Sequence, residues 1–376
     1  MKRASEFRMA GANVLRLGIL FLIALVVGIV AACSTRTEGA ARGPRQPGAG
    51  PGSASYKHGL VVAQEYGVGP TRYWIFEPAD PKPESAPVIV FNHGWLALEP
   101  KYYGAWIDHI VRRGNIVIFP VYQDGLRTHT SEFTANAAAG VRAGIARLKA
   151  EPGHVRPQLE MVAVVGHSMG GLITANFGAE WKRLGIPQPR ALMCVEPGRT
   201  SAMPKSASVQ LADLSLIGKD TLLLTVAGDR DRLVKDEDAK RIFKETTKVA
   251  PENKNHILMV SDDHGSPVLV ANHLAPVGLN LRYTDPAAAG TLSHWFFEQM
   301  EKRRLRASEN GGDGALGMAV DALDFYGTWK LFDGLSDAAF YGRNREYALG
   351  NTQQQRFMGK WSDGIGVKEL QVSTIP

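Results

Sequence analysis

The chain has 376 residues, 44% of them apolar and 21% charged. That suffices for one large domain with a substantial core, and length alone would also allow two. The formal net charge is +6, but Lys2, Arg3, Arg8 and Arg16 against Glu6 give the first 32 residues half of it, so little excess remains on the rest. So small a balance argues against a nucleic-acid partner.

Residues 1–16 form a basic stretch, and Leu17 to Ala32 is an uninterrupted apolar run. The run is shorter than the roughly 20 residues of a spanning helix and ends in small residues, the pattern of a signal peptide over 1–32. Val30-Ala31-Ala32-Cys33 resembles the lipobox of bacterial lipoproteins, with Val30 where that family usually has leucine. The resemblance implies that Cys33 becomes a lipidated N-terminus, placing the protein in the bacterial cell envelope and holding it to a membrane by that lipid. An ordinary secretory signal and an uncleaved anchor are the alternatives, and all three put the remainder outside the cytoplasm. Residues 33–56, rich in Gly, Ala, Pro, Arg and Ser, read as a flexible linker. Cys194 lies in the apolar run Ala191 to Val195 and reads as a small core residue. With Cys33 lipidated, no intramolecular disulfide is available.

From residue 57 to 376 the pattern is one domain. Gly59 to Tyr66 and Thr71 to Glu77 predict an antiparallel hairpin, and Ala86 to Asn92 a buried strand. Tyr102 to Arg112 places Trp106, Ile107 and Ile110 on one helical face. A strand follows over Asn115 to Tyr122, an alanine-rich helix over Thr130 to Lys149, a strand over Met161 to Val165 and a helix over Gly171 to Leu184. Further strands are expected at Ala191 to Val195, Thr221 to Ala227 and His256 to Val260, with a helix over Lys235 to Lys248. Apolar strands separated by helices predict an α/β fold, a mostly parallel sheet covered on both faces. In such sheets functional groups collect at the carboxyl ends of the strands.

The stretch Val162-Ala163-Val164-Val165-Gly166-His167-Ser168-Met169-Gly170-Gly171 runs from β-branched strand directly into helix, with a serine at the apex. Glycines flank the serine where side chains would collide across a tight turn, and the helix start offers free N–H groups to a forming oxyanion. This nucleophile elbow resembles that of the α/β-hydrolase superfamily, its esterase and lipase branch in particular. The resemblance implies a triad in the order nucleophile, acid, histidine. Asn92-His93-Gly94-Trp95 matches the branch's oxyanion loop, whose donors fall on the N–H groups of Trp95 and Met169, with the His93 imidazole as a brace. Gly228-Asp229-Arg230-Asp231-Arg232-Leu233-Val234 follows a strand, and the resemblance, through the branch's frequent Gly-x-x-Asp-x-x-Val pattern, implies Asp231 as the acid. Asp229 reads as a turn residue, and Glu196, after the preceding strand, is the alternative acid. The base is expected just beyond the last strand, at His264, with His273 and His294 read as packing or helix residues.

Segments 197–219 and 265–293 read as insertions near the mouth, the second either a lid or a packed surface loop. The tail 311–376 reads as structural. The functional expectation is a serine hydrolase that cleaves carboxylic esters, on small-molecule or lipid substrates, through Ser168, His264 and Asp231 and without a cofactor. An acyltransferase using the same triad and a non-catalytic binding lipoprotein of the same fold are its rivals.

Overall fold

The computed structural model describes residues 39–199, 208–285 and 318–373, with isolated positions between 291 and 302. The expected signal peptide and Cys33 lie outside the described residues. The core is a nine-stranded sheet in the order β1-β2-β4-β3-β5-β6-β7-β8-β9. The hairpin is β1 (Leu60–Tyr66) and β2 (Tyr73–Ala79). Then come β3 (Ser85–Asn92), α1 (Gly104–Arg112), β4 (Ile116–Pro120), α2 (Phe133–Ala150), β5 (Arg156–His167), α3 (Met169–Leu184) and β6 (Ala191–Val195). β7 (Leu222–Gly228), α4 (Glu237–Glu245) and β8 (Lys254–Met259) complete the parallel part.

The strand residues alternate between two cores because successive side chains point to opposite faces. Ile89, Phe91, Val165 and Met193 pack with Trp106 and Ile107 of α1 on one face. Val88, Val90, Val164 and Leu192 pack with Val141 of α2, Ile173 of α3 and Ile242 of α4 on the other. Each such side chain, fully buried, contributes about 1.5–3 kcal/mol. This two-sided cover is why the strands read as continuous apolar runs.

The tail builds structure. A π-helical turn, Leu323–Thr328, leads into α5 (Trp329–Tyr341), whose Leu331, Phe332 and Leu335 join the same core as α1. β9 (Gln371–Ser373) then pairs antiparallel with β8 and closes that sheet edge.

The linker expectation is corrected for residues 39–56, which are docked on the domain. The Ala41 and Arg42 carbonyls accept the Ser266 and Ser362 N–H groups at 2.8 and 2.9 Å, and the Gly52 N–H donates to Asp333 Oδ2 at 2.7 Å. Gly52 has φ +79°, and a Cβ there would meet the Phe325 carbonyl oxygen at 1.9 Å. Its glycine therefore marks close approach of backbone to backbone rather than looseness. Asp333 is also bound by His109 Nε2 at 2.9 Å and Arg113 Nε at 3.1 Å. Burial alone would raise its carboxyl, and His109, Arg113 and the Gly52 N–H together outweigh burial and hold it below the ordinary range.

Candidate active site

β5 ends at His167 and α3 begins at Met169, leaving Ser168 alone in the turn with φ 57° and ψ −124°. That is a sparsely populated conformation for a non-glycine residue. Its neighbours make it possible. A Cβ on Gly166 would lie 2.2 Å from the Gly170 carbonyl oxygen, and one on Gly170 2.2 Å from the Asn92 carbonyl oxygen. The Ser168 N–H donates to the Val195 carbonyl at 3.0 Å, which pins the elbow to β6.

The Ser168 hydroxyl meets His273. Ser168 Oγ is 3.0 Å from His273 Nε2, and His273 Nδ1 is 2.8 Å from Asp231 Oδ2. Asp231 Oδ1 accepts the Leu233 and Val234 N–H groups at 2.8 and 3.1 Å. Burial pushes the Asp231 carboxyl up, but the His273 imidazole and these two N–H groups outweigh it and hold it below the ordinary carboxylate range. A charged Asp231 holds His273 with Nδ1–H toward the acid and Nε2 free to accept the serine proton.

The structure thus brings together Ser168 and Asp231 but replaces His264 with His273. His264 is exposed, its Nε2 bonded to Asp363 Oδ2 at 2.7 Å and its N–H to Asp262 Oδ1 at 3.0 Å. The reason is the path beyond β8. Asp262 and Leu269 exchange two backbone hydrogen bonds at 2.8 Å, closing an outward excursion that carries His264 at its tip. The chain then returns to the sheet end, where Ala271 N–H donates to Ser261 Oγ at 2.9 Å and the Ala271 carbonyl accepts the Arg230 N–H at 3.0 Å. Only after that return does His273 face the serine. Residues 265–285 accordingly pack onto the domain, with Leu269, Ala271, Ala275 and Val277 buried. The readable signal was environment: His264 follows two aspartates, whereas His273 stands in the apolar stretch Val268 to Leu279.

The oxyanion loop comes close because Gly94 has no side chain. A Cβ there would sit 3.4 Å from Ser168 Cβ and 3.0 Å from the Tyr103 hydroxyl. The N–H groups of Trp95 and Met169 lack a protein partner among the described residues. His93 stacks on Tyr122 at 4.0 Å between ring centroids, and its Nδ1 lies 2.6 Å from the Gly94 carbonyl. Burial, with a smaller contribution from Arg72, drives its pKa down to about 3, so it is a neutral brace at physiological pH. The cleft over Ser168 is walled mostly by apolar side chains, Trp95, Ala97, Leu233, Val234, Leu274 and Val277, with Arg199 also on its lining.

Glu196, the alternative acid, also lies at the site. It is fully buried, has φ 43°, and its Oε2 is 3.7 Å from His273 Nδ1 and 3.3 Å from His167 Nε2. Burial, reinforced by the Asp231 charge, pushes its carboxyl well above the ordinary range. Asp231 makes the hydrogen bond to His273, and Glu196 does not. Asp229 is turned away and accepts Ser261 Oγ–H at 2.5 Å. One group among the described residues, His167, Glu196 and His273, brings three possible metal-ligand atoms within 4.8 Å of one another. A metal there would compete with the Asp231–His273 bond.

The sheet order, the elbow at the end of β5 and the polar groups at the strand ends define an α/β-hydrolase fold. Residues 56–203 match the family model described as chlorophyllase. That segment contains Trp95, Ser168 and Met169 and stops before Asp231 and His273. The chain is similar in structure to one reported in a structural analysis of two fungal esterases from Rhizomucor miehei, with 14% identity and a TM-score of 0.44, covering 67% of this chain and 85% of that one. No curated protein matches the chain.

Proposed function

We propose that the protein hydrolyses carboxylic esters. The observation that carries the reading is the line from Ser168 Oγ to His273 Nε2 at 3.0 Å and from His273 Nδ1 to Asp231 Oδ2 at 2.8 Å, set at the elbow. In the proposed reaction His273 takes the Ser168 proton as the hydroxyl oxygen attacks the ester carbonyl. The Trp95 and Met169 N–H groups receive the oxyanion, worth several kcal/mol of barrier. Asp231 stabilises the imidazolium, which then protonates the leaving alcohol. Water, deprotonated by His273, releases the acid and restores the serine. The apolar walls of the cleft favour an uncharged acyl or aryl group beside Trp95. The matched family's model covers the nucleophile and oxyanion loop, which supports the reaction class.

The test uses the protein lacking residues 1–33, a fluorophosphonate probe and p-nitrophenyl esters of graded acyl length. Labelling confined to Ser168 with ester turnover is expected. Absence of both overturns the reading, and preferential transfer to an added alcohol instead of water makes the protein an acyltransferase.

We further propose that lipid on Cys33 holds the domain at a membrane of the bacterial cell envelope. The support is the apolar run ending in small residues before Cys33. No helix among the described residues is long and apolar enough to cross a membrane. Labelled palmitate should enter the full chain and not the Cys33→Ser variant. A full chain that takes up no label and matures elsewhere overturns this.

A further inference from the structure

The elbow residue before the nucleophile, His167, is buried and takes no part in the proton transfers above. Its surroundings are unusual in their order. The Gly94 N–H donates to the Tyr103 hydroxyl oxygen at 2.9 Å, and that hydroxyl is 2.9 Å from His167 Nδ1. A tyrosine oxygen that accepts from Gly94 has its own proton left to place, and His167 Nδ1 is the acceptor within reach. That assigns Nδ1 as the unprotonated nitrogen and puts the imidazole proton on Nε2. On that side stand Glu196 Oε2, at 3.3 Å, and the His273 ring, whose centroid is 4.6 Å from that of His167.

We propose that Tyr103 and His167 are positioning residues of the hydrolytic site: a one-directional hydrogen-bond chain, from Gly94 N–H through Tyr103 O–H to His167 Nδ1, locks the oxyanion loop to the elbow. This rests on the ester-hydrolase reading of the preceding section. The chain acts on catalysis through distance. Gly94 immediately precedes the donor residue Trp95, and its missing side chain leaves 3.2 Å between a virtual Cβ and His167 Nδ1. Asn92 is tied to the elbow by its pairing with Gly166 and by its Nδ2, which donates to Thr174 Oγ1 at 3.1 Å; at Gly94 the link to the elbow runs through the Tyr103 hydroxyl. Release of that hydroxyl lets the Trp95 N–H drift from the position the oxyanion occupies, and such donors act only when preorganised.

The chain also needs a neutral His167. A proton on Nδ1 would turn the acceptor into a second donor and break the link to Tyr103. It would also set a positive charge beside the imidazolium that forms on His273 during attack. Burial, together with repulsion from His273, holds His167 well below the ordinary histidine range, in keeping with this arrangement. Glu196 closes the far end, its left-handed backbone holding the carboxyl under the imidazole.

The test is a set of variants with steady-state kinetics on p-nitrophenyl butyrate, each normalised to folded protein by thermal unfolding. Tyr103→Phe and His167→Leu should each lower kcat about 10- to 100-fold with KM within about twofold, a fraction of the loss when an oxyanion donor is deleted outright. His167→Asn places a carbonyl oxygen near the former Nδ1 and should recover most of the loss. The double variant Tyr103→Phe, His167→Leu should be no worse than the poorer single one. Multiplying losses, an unchanged kcat in Tyr103→Phe, or His167→Asn as poor as His167→Leu each overturn the proposal. A second measurement does not depend on turnover or on any variant folding. Nitrogen NMR of the labelled wild-type protein should show His167 as the neutral Nε2–H tautomer, and an Nδ1–H tautomer overturns the chain. If wild type cleaves no ester and Ser168 takes no probe, the hydrolase reading fails, while the tautomer still decides whether the chain exists.

Discussion

Replacing His273 by alanine separates the two candidate histidines most sharply. His273 Nε2 lies 3.0 Å from Ser168 Oγ, and no other imidazole among the described residues bonds that hydroxyl. Without it the serine keeps its proton and the leaving alcohol has no acid. Triad members act as a unit, so loss of the base alone removes most of what all three supply, about 10⁴- to 10⁶-fold in kcat. At 1.36 kcal/mol per tenfold, that is about 5 to 8 kcal/mol of barrier. The fold should survive, because Asp231 keeps its two N–H donors from Leu233 and Val234. His264→Ala serves as the contrast. Its hydrogen bond with Asp363 is exposed, 38% and 43% for the two side chains, and exposed pairs of this kind are worth about 0–1 kcal/mol. That variant should keep both stability and kcat. The assay is kcat on p-nitrophenyl butyrate together with the rate of fluorophosphonate labelling at Ser168, each per folded molecule. If His273→Ala retains more than about a hundredth of wild-type kcat, or if His264→Ala is the more damaging change, the base has been misassigned.

Three further outcomes are expected. Asp231→Asn should lower kcat about 10⁴-fold by stabilising the wrong imidazole tautomer, with Asp229→Asn nearly silent in the same assay. Gly170→Ala should fail to fold or unfold well below wild type in thermal denaturation, since its Cβ would lie 2.2 Å from the Asn92 carbonyl and 2.3 Å from that of His93, both backbone atoms with nowhere to move. Stability should fall as pH drops below about 6.5, because the unfolded chain protonates His93 there while the folded chain holds it neutral down to about 3. Each pH unit in that window costs about 1.4 kcal/mol from this one group. In urea unfolding from pH 7 to 4, His93→Asn should therefore show the shallower loss; equal slopes would refute His93 as the source.

Much of the fold was legible because its causes are local. The strand from Ser85 to Asn92 and that from Leu222 to Gly228 are apolar throughout, as two-sided burial demands, and both are recognisable without tertiary information. The elbow is legible for a steric reason, since Gly166 and Gly170 are each forced by a backbone contact within the turn itself. Asp231 was separated from Asp229 through the family resemblance, whose Gly-x-x-Asp-x-x-Val pattern falls on it; the Leu233 and Val234 N–H groups that bind its Oδ1 belong to the folded turn and could not be read from the sequence. The docking of 39–56 was not legible. Its partners, Asp333, Ser362 and Ser266, are distant in sequence, and glycine, alanine and proline compose a tight backbone seat as readily as a loose chain.

The base shows most plainly where reading in order fails. A histidine that must meet a serine at the sheet's carboxyl edge can come from any point after the last strand, since the serine selects a position in space and not a distance along the chain. Counting from β8 favours the first histidine reached. Physical demand favours another: a base that shares a proton with a buried carboxylate needs an apolar surround to keep water from that bond. Asp263 and Asp363 beside His264 are exposed acids, and the buried Asp262 carboxylate is already taken by the His264 and Lys368 N–H groups and Trp361 Nε1. His273 has Leu274 beside it and Ala271 and Val277 buried close by. The composition around a candidate base is thus the better guide when the last strand is followed by a bridged excursion. The same argument explains why Glu196 was a near miss: it satisfies burial and lies 3.7 Å from His273 Nδ1, but burial and the Asp231 charge push its carboxyl well above the ordinary range, against the charge that an imidazolium needs, and Asp231 holds the hydrogen bond.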